Sequence, residues 1–129
     1  MSQTNKPRVY LKKGCPFSFK LLLFFTEANL LDEFELVECD PNSEDFEQQR
    51  SELASLLNKS ASFPTAVFAG ERAMPDSDAL IDYFAHEYGV EISALPTLAF
   101  YKRGIMPAMA GMFKRGFNSL VQWLVLSQT

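Results

Sequence analysis

The amino-acid sequence predicts an α/β domain with four strands over residues 1–89, followed by a short helical C-terminal extension over residues 90–129. Three observations predict this class. Short stretches alternate apolar and polar side chains, as half-buried strands do. Longer stretches repeat apolar side chains every three or four residues, as helices do. Proline, glycine and asparagine separate the two kinds of stretch in the order β-α-β-α-β-β-α.

The predicted strands cover residues 7–13, 34–39, 64–69 and 72–74, and the predicted helices cover residues 16–30, 43–59 and 78–89. Pro16 is typical of a first helical turn, where the missing N–H costs nothing. Ser43, with Glu47 close behind it, indicates a capping box at the second helix. Asp76 and Ser77 are expected to cap the third helix, which ends at Gly89.

The C-terminal extension contains helical patterns over residues 97–103, 106–112 and 117–128. Its apolar side chains need a surface to pack against, so the simplest interpretation is packing onto the preceding domain. Methionine suits adaptable surfaces, so a binding role stays open for three residues of this type, Met106, Met109 and Met112. That role would make the chain a non-catalytic interaction module, or a homodimer formed through the extension.

Composition narrows the function classes. The 129 residues suit one domain, and the hydrophobic and charged fractions of 47% and 22% indicate a globular protein. A formal net charge of −4 argues against a nucleic-acid partner. The first residues lack the apolar core of a signal peptide, and no apolar run approaches the roughly 18 residues of a transmembrane helix. Two cysteines are too few for a disulfide framework, so we expect a cytoplasmic protein with reduced thiols.

Cys15 is the strongest candidate for chemistry. It lies where a predicted strand meets a predicted helix, and the partial positive charge of a helix N-terminus stabilises the reactive thiolate. Lys12 and Lys13 precede it, and Lys12 is the preferred cationic partner. The alternative is a buried structural cysteine, which glycine before the residue and proline after it disfavour.

Ser18 stands three residues after Cys15, where a second cysteine would be needed for an internal disulfide. We expect its hydroxyl to donate a hydrogen bond to the Cys15 sulfur. Any redox chemistry at Cys15 must then be monothiol and pass through a mixed disulfide with a small thiol. Alternatively, the site activates a thiol that belongs to the ligand.

Two further features could bind a ligand. Phe63-Pro64 begins a strand and is a candidate cis peptide, although proline at a strand start is ordinary in itself. Ser77 and Asp78 stand at a predicted helix N-terminus, which can bind a carboxylate. Simple helix capping explains Ser77 and Asp78 equally well when they are considered alone.

Together these motifs resemble the glutaredoxins and the N-terminal domain of the glutathione transferases. The resemblance implies a thioredoxin-like fold with a four-stranded mixed sheet. The resemblance covers about residues 7–89 and rests on three segments: GCPFS, FPTAVFAGERA and PDSDALIDYFAHEYG. It implies a glutathione site. Its residues would be Cys15 as nucleophile with Ser18, Phe17 beside the sulfur, Lys12 near the glycyl carboxylate or the thiolate, Phe63 and Pro64 on the cysteinyl backbone, and Ser77 with Asp78 on the γ-glutamyl carboxylate.

The resemblance predicts a monothiol oxidoreductase that acts on glutathionylated or disulfide substrates. The alternative is a transferase-like domain that conjugates glutathione or only binds partners. Pro16 stands where iron–sulfur-binding monothiol glutaredoxins carry glycine, and no Cys/His cluster suggests zinc, so no metal is expected. Cys39 could be a resolving thiol, but the family geometry favours a buried bystander away from the nucleophile. His86 is expected to have a surface or packing role.

Overall fold

A computed structural model describes residues 6–115 of the chain. Four strands form one sheet: β1 (Arg8–Lys12), β2 (Glu35–Cys39), β3 (Thr65–Phe68) and β4 (Arg72–Pro75). Their spatial order is β2-β1-β3-β4. The β1–β2 pair is parallel, whereas β1–β3 and β3–β4 are antiparallel. The predicted four-stranded mixed sheet of thioredoxin-like type is therefore confirmed.

Five helices accompany the sheet in the described part of the chain: α1 (Pro16–Glu27), α2 (Phe46–Leu57), α3 (Ser77–Tyr88), α4 (Pro96–Phe100) and α5 (Met106–Arg115). A π-helical turn over Tyr101–Ile105 joins α4 to α5. Gly89 adopts a left-handed φ of 65° and ends α3, as predicted. The helix predicted over residues 117–128 lies outside the described residues.

Among the first three helices, two boundaries lie three residues from their predicted positions. The second helix begins at Phe46 rather than Ser43, because the Ser43 hydroxyl accepts a hydrogen bond from the Asp45 N–H at 3.0 Å and closes a turn instead of a capping box. The first helix ends at Glu27 rather than at residue 30, since Asn29 takes a left-handed φ of 61°. Both differences arise from local side-chain and backbone chemistry that apolar spacing does not report.

The sheet separates two apolar clusters. Val9 and Leu11 of β1 face α1 and α3, where they join the larger cluster with Phe24 and Phe84. The intervening residue Tyr10 faces the other side and α2; its cluster contains Cys39, Leu53 and Val67. The period of two along β1 thus places α1 on one face of the sheet and Cys39 on the other.

The stretch after α3 packs along α1. The Glu27 carboxylate at the end of α1 accepts hydrogen bonds from the backbone N–H groups of Thr97 and Leu98, both at 2.8 Å. These groups open α4 and would otherwise lack partners. Leu98 is only 1% exposed and belongs to the larger cluster.

The division of the chain into a domain over residues 1–89 and an extension over residues 90–129 stays a prediction. Over residues 6–115, every helix is too short or too polar to cross a membrane.

Candidate active site

Cys15 lies between β1 and α1, directly before the first helical residue. Gly14 adopts a φ of 80° in the turn that leads to it, a conformation that glycine reaches without steric cost. The Cys15 sulfur accepts a hydrogen bond from the Ser18 backbone N–H at 3.4 Å and lies 3.8 Å from the Phe63 carbonyl oxygen. The half-buried thiol therefore occupies the N-cap position of α1, where helix N–H groups favour a negative charge.

Ser18 is 3% exposed and supports this turn in a way the sequence did not indicate. Its hydroxyl oxygen accepts a hydrogen bond from the Lys12 backbone N–H at 3.0 Å. The hydrogen bond to the Cys15 sulfur comes from the Ser18 backbone, where we had expected the hydroxyl as donor. The Ser18 side chain thus ties the end of β1 to the first turn of α1.

The Phe63–Pro64 peptide is cis, as the sequence had suggested. The Thr65 hydroxyl donates a hydrogen bond to the Ser62 carbonyl at 2.8 Å and closes the turn that leads into β3. The Phe63 ring is half-buried and stacks on Phe46 of α2, with a centroid separation of 6.0 Å. These contacts fix the Phe63 carbonyl oxygen beside the Cys15 sulfur.

The N-terminus of α3 forms a second side of the site. Ser77, the first helical residue, is buried, and Asp76 before it adopts a φ of 82°. Asp78 accepts a hydrogen bond at 2.7 Å from the ammonium group of Lys20 on α1. That hydrogen bond lowers the pKa of Asp78; desolvation opposes the change, and the charges of Lys20 and Lys102 add to it.

Lys20 is the ion-pair partner that sequence reasoning missed. Its side chain is 4% exposed, against 64% for Asp78, and its ammonium group lies 5.7 Å from the centre of the Phe17 ring. One sequence signal was available, because Pro16, Lys20 and Phe24 are spaced four residues apart on one buried face of α1. A lysine on a buried face requires a partner, but the sequence does not name it.

Lys12 is the last residue of β1 and lies at the end of the strand that leads to Cys15. Lys12 and Cys15 line a cleft of about 250 Å³ on the β2 side of β1, whereas Phe63 and Pro64 lie on the β3 side. The other residues of this cleft are Leu11, Lys13, Gly14, Ser18, Phe19, Leu22 and Glu38. The structure therefore brings Lys12 and Cys15 together around one cleft.

Residues 14–87 match the family described as glutathione S-transferase, N-terminal domain. The chain belongs to this family. Solved structures with the same fold include glutathione transferases Omega 3C and Omega 2C from Trametes versicolor. Omega 3C has 16% identity and a TM-score of 0.55 over 84% of this chain and 50% of its own. Omega 2C has 13% identity and a TM-score of 0.52 over 85% and 46%.

A third structure with this fold, Ure2p in complex with S-hexylglutathione, has 17% identity and a TM-score of 0.50 over 81% of this chain and 52% of its own. The present chain spans about half the length of these solved structures. No curated protein sequence matches it. The family membership confirms the resemblance inferred from the sequence, and at these identities the solved structures support the fold alone.

Within this transferase-type domain, Phe17 is 44% exposed beside the site. Cys39 is fully buried, and burial raises the pKa of its thiol to about 11. The end of β2 is less remote from Cys15 than expected, because Cys39 on β2 pairs with Lys12 on β1. The Cys39 thiol nevertheless lies in the cluster on the α2 face. His86 is exposed near the far end of α3 from Ser77.

Proposed function

We propose that the protein is a glutathione-binding thiol-disulfide oxidoreductase of monothiol type, with Cys15 as its nucleophile. One observation carries the proposal: the Cys15 sulfur stands at the N-terminus of α1 and 3.8 Å from the Phe63 carbonyl, with serine in place of a second cysteine at residue 18. A helix N-terminus favours the thiolate, and Ser18 leaves no resolving thiol within the motif.

Glutathione fits the arrangement on the β3 side of Cys15. Its thiol group would reach the Cys15 sulfur while its cysteinyl backbone lies along Phe63, before the buried Pro64. The N–H groups that open α3 at the buried Ser77 suit the γ-glutamyl carboxylate. The exposed Asp78 carboxylate, held by Lys20, suits the neighbouring ammonium group. Lys12 would act on the thiolate or on the glycyl carboxylate.

The chemistry would proceed in two exchanges. The Cys15 thiolate attacks the glutathione sulfur of a glutathionylated substrate, the substrate sulfur leaves as a thiolate and takes a proton from water, and Cys15 keeps the glutathione in a disulfide. The thiolate of a second glutathione then attacks the bound glutathione sulfur. This step releases oxidised glutathione and restores the Cys15 thiolate. In the net reaction one reduced glutathione enters, the substrate leaves as a free thiol, and the glutathione taken from the substrate leaves in the disulfide with the second one.

Two matched variants test this proposal in an assay that follows the reduction of a glutathionylated peptide by glutathione. Cys15→Ser should lose at least about a thousandfold in rate, because the nucleophile is gone. Cys39→Ser should keep its rate within about twofold per folded molecule, since its thiol is buried and almost fully protonated at neutral pH. Full activity in Cys15→Ser would exclude the mechanism.

Conjugation of glutathione is a second candidate. It is supported by the cleft beside Cys15, because Leu11, Phe19 and Leu22 give this cleft apolar walls that suit an electrophile. In that case glutathione would supply the nucleophilic sulfur, and Cys15→Ser would keep a measurable rate with an aryl halide. Comparing both substrates in the same variant separates the two functions.

We propose a cytoplasmic location, which agrees with two free thiols.

We also propose that the protein forms a homodimer through the C-terminal extension. Phe100 and Ile105 support that surface, with exposures of 66% and 42%. Sedimentation equilibrium of the chain and of the double variant Phe100→Ser/Ile105→Ser tests the dimer. Dimers in the parent chain alone would support this surface, and a monomeric parent would exclude it.

A further inference from the structure

Tyr101 reaches from the C-terminal stretch to the residue after the nucleophile. Its hydroxyl donates a hydrogen bond of 2.6 Å to the carbonyl oxygen of Pro16, and the residue is 5% exposed. Its ring packs edge-on against Phe19, with 5.2 Å between ring centroids. Tyr101 lies beyond residues 14–87, the part of the chain that matches the transferase N-terminal domain.

A second contact aligns this segment along α1. Glu27, at the end of α1, caps the start of α4 through two backbone N–H groups. Tyr101, immediately after α4, contacts Pro16 at the start of α1. The chain from Thr97 to Tyr101 therefore runs antiparallel to α1 and is bound to it at both ends, which leaves the tyrosine little freedom to move.

The Pro16 carbonyl belongs to the helical turn that contacts the Cys15 sulfur. Pro16 follows Cys15 and begins the helical turn in which the Ser18 N–H meets the Cys15 sulfur. That hydrogen bond is 3.4 Å long, so its strength depends on the orientation of the turn. Burial, and secondly the charge of the nearby Cys15 thiolate, raise the pKa of Tyr101, which agrees with its position beside the site.

We propose that Tyr101 is a positioning residue for Cys15: its hydroxyl fixes the first turn of α1 and so aims the Ser18 N–H at the sulfur. The C-terminal stretch then takes part in the chemistry through the backbone of α1, without supplying a group that touches substrate. The titratable side chains that line the cleft with Cys15 are Lys12, Lys13 and Glu38, and none of them is altered by a change at residue 101.

The test measures the rate of Cys15 alkylation by iodoacetamide against pH in Tyr101→Phe, which keeps the ring and removes the hydroxyl. The midpoint of the profile should rise by about 0.5 to 1 pH unit, because the thiolate loses part of its hydrogen bond. The rate near neutral pH should fall only about threefold, since a thiolate of higher pKa is intrinsically more nucleophilic.

Tyr10→Phe is the matched control, because Tyr10 is equally buried at 6% exposure but lies in the cluster on the α2 face. Its profile should match that of the parent chain.

Glu27→Gln weakens the contact between the end of α1 and the start of α4. It should move the midpoint in the same direction as Tyr101→Phe by a smaller amount, and it serves as the second variant if Tyr101→Phe fails to fold. An unchanged midpoint in the folded Tyr101→Phe protein, even with a lower melting temperature, would overturn the proposal. Glutathione is absent from the assay, so this outcome is independent of the proposed glutathione chemistry.

Discussion

Cys15 and Cys39 lie near the same end of the sheet and have opposite surroundings. Cys15 follows β1, whereas Cys39 ends β2 and pairs with Lys12 of β1. The backbone N–H of Lys13 donates a hydrogen bond of 2.9 Å to the Cys39 carbonyl, so the two chain segments are in direct contact. The Cys15 thiol faces the N-terminus of a helix, and the Cys39 thiol lies among apolar side chains on the α2 face.

This difference shows that position along the sheet does not decide thiol chemistry. A helix N-terminus offers unpaired N–H donors and partial positive charge, and both favour a thiolate. An apolar cluster offers neither, so burial raises the pKa of Cys39 to about 11 and keeps the thiol neutral at physiological pH. Cys15 is therefore half-buried at a helix N-terminus, and Cys39 contributes to the packing of an apolar cluster.

The largest expected contrast is in alkylation of the native protein. Under native conditions at pH 8, iodoacetamide should modify Cys15 at least about a thousandfold faster than Cys39, because Cys39 must first be exposed by local unfolding. Peptide mapping by mass spectrometry at timed intervals measures both rates in one sample. Denaturant should remove most of the contrast. Comparable rates in the native protein would show that the two thiols do not differ in reactivity.

Replacing Cys39 should cost more stability than replacing Cys15, although we expect only the change at Cys15 to affect activity. Cys39→Ser places a hydroxyl among apolar side chains and should lower the free energy of unfolding by about 1–3 kcal/mol. Cys15→Ser should change it by less than about 0.5 kcal/mol, because serine is a favourable N-cap residue. Urea unfolding monitored by fluorescence gives both values, with equal slopes expected for the two variants. A larger loss at Cys15 would mean that its sulfur is part of the core.

The charge pair on the Cys15 side gives the smallest predicted effect. Asp78→Asn leaves the buried Lys20 ammonium without its anionic partner and should cost about 1–2 kcal/mol, less than for a fully buried pair, since Asp78 is largely exposed. Lys20→Met removes the buried charge itself and should cost less. The pKa of Asp78 is lowered in the folded state. The ion pair therefore contributes to the free energy of unfolding at pH values above the pKa of Asp78 in the unfolded chain, and this contribution disappears as the pH falls through the pKa of Asp78 in the folded protein.

Urea unfolding at pH 7 and at the lowest pH where the fold persists measures this dependence. The gap between the parent chain and Asp78→Asn should narrow at the lower pH. An equal gap at both pH values would show that the ion pair does not contribute to stability in this way.

The sequence predicted the order of strands and helices along the chain and the position of Cys15, because these depend on local patterns. The mixed sheet was expected from the family resemblance. The alternation of Val9, Tyr10 and Leu11 defined both faces of β1, and proline after Cys15 marked the helix start. The cis peptide before Pro64 was also anticipated.

The contacts that join distant segments were not predicted. Lys20 meets Asp78 across 58 residues and Tyr101 meets Pro16 across 85, and no local spacing encodes either pair. The start of α2 was also misplaced, since Ser43 can form a turn as readily as a helix cap. Such contacts depend on how α1 packs against α3 and α4, which requires the fold itself.

Incubation of the protein with oxidised glutathione, followed by mass mapping of both cysteines, tests directly whether Cys15 is the nucleophile. We expect one mixed disulfide with glutathione, at Cys15, that excess reduced glutathione removes. We also expect titration calorimetry to detect reduced glutathione binding to the Cys15→Ser protein, because the rest of the proposed site is intact. An unmodified Cys15, or an adduct at Cys39 in its place, would exclude Cys15 as the nucleophile.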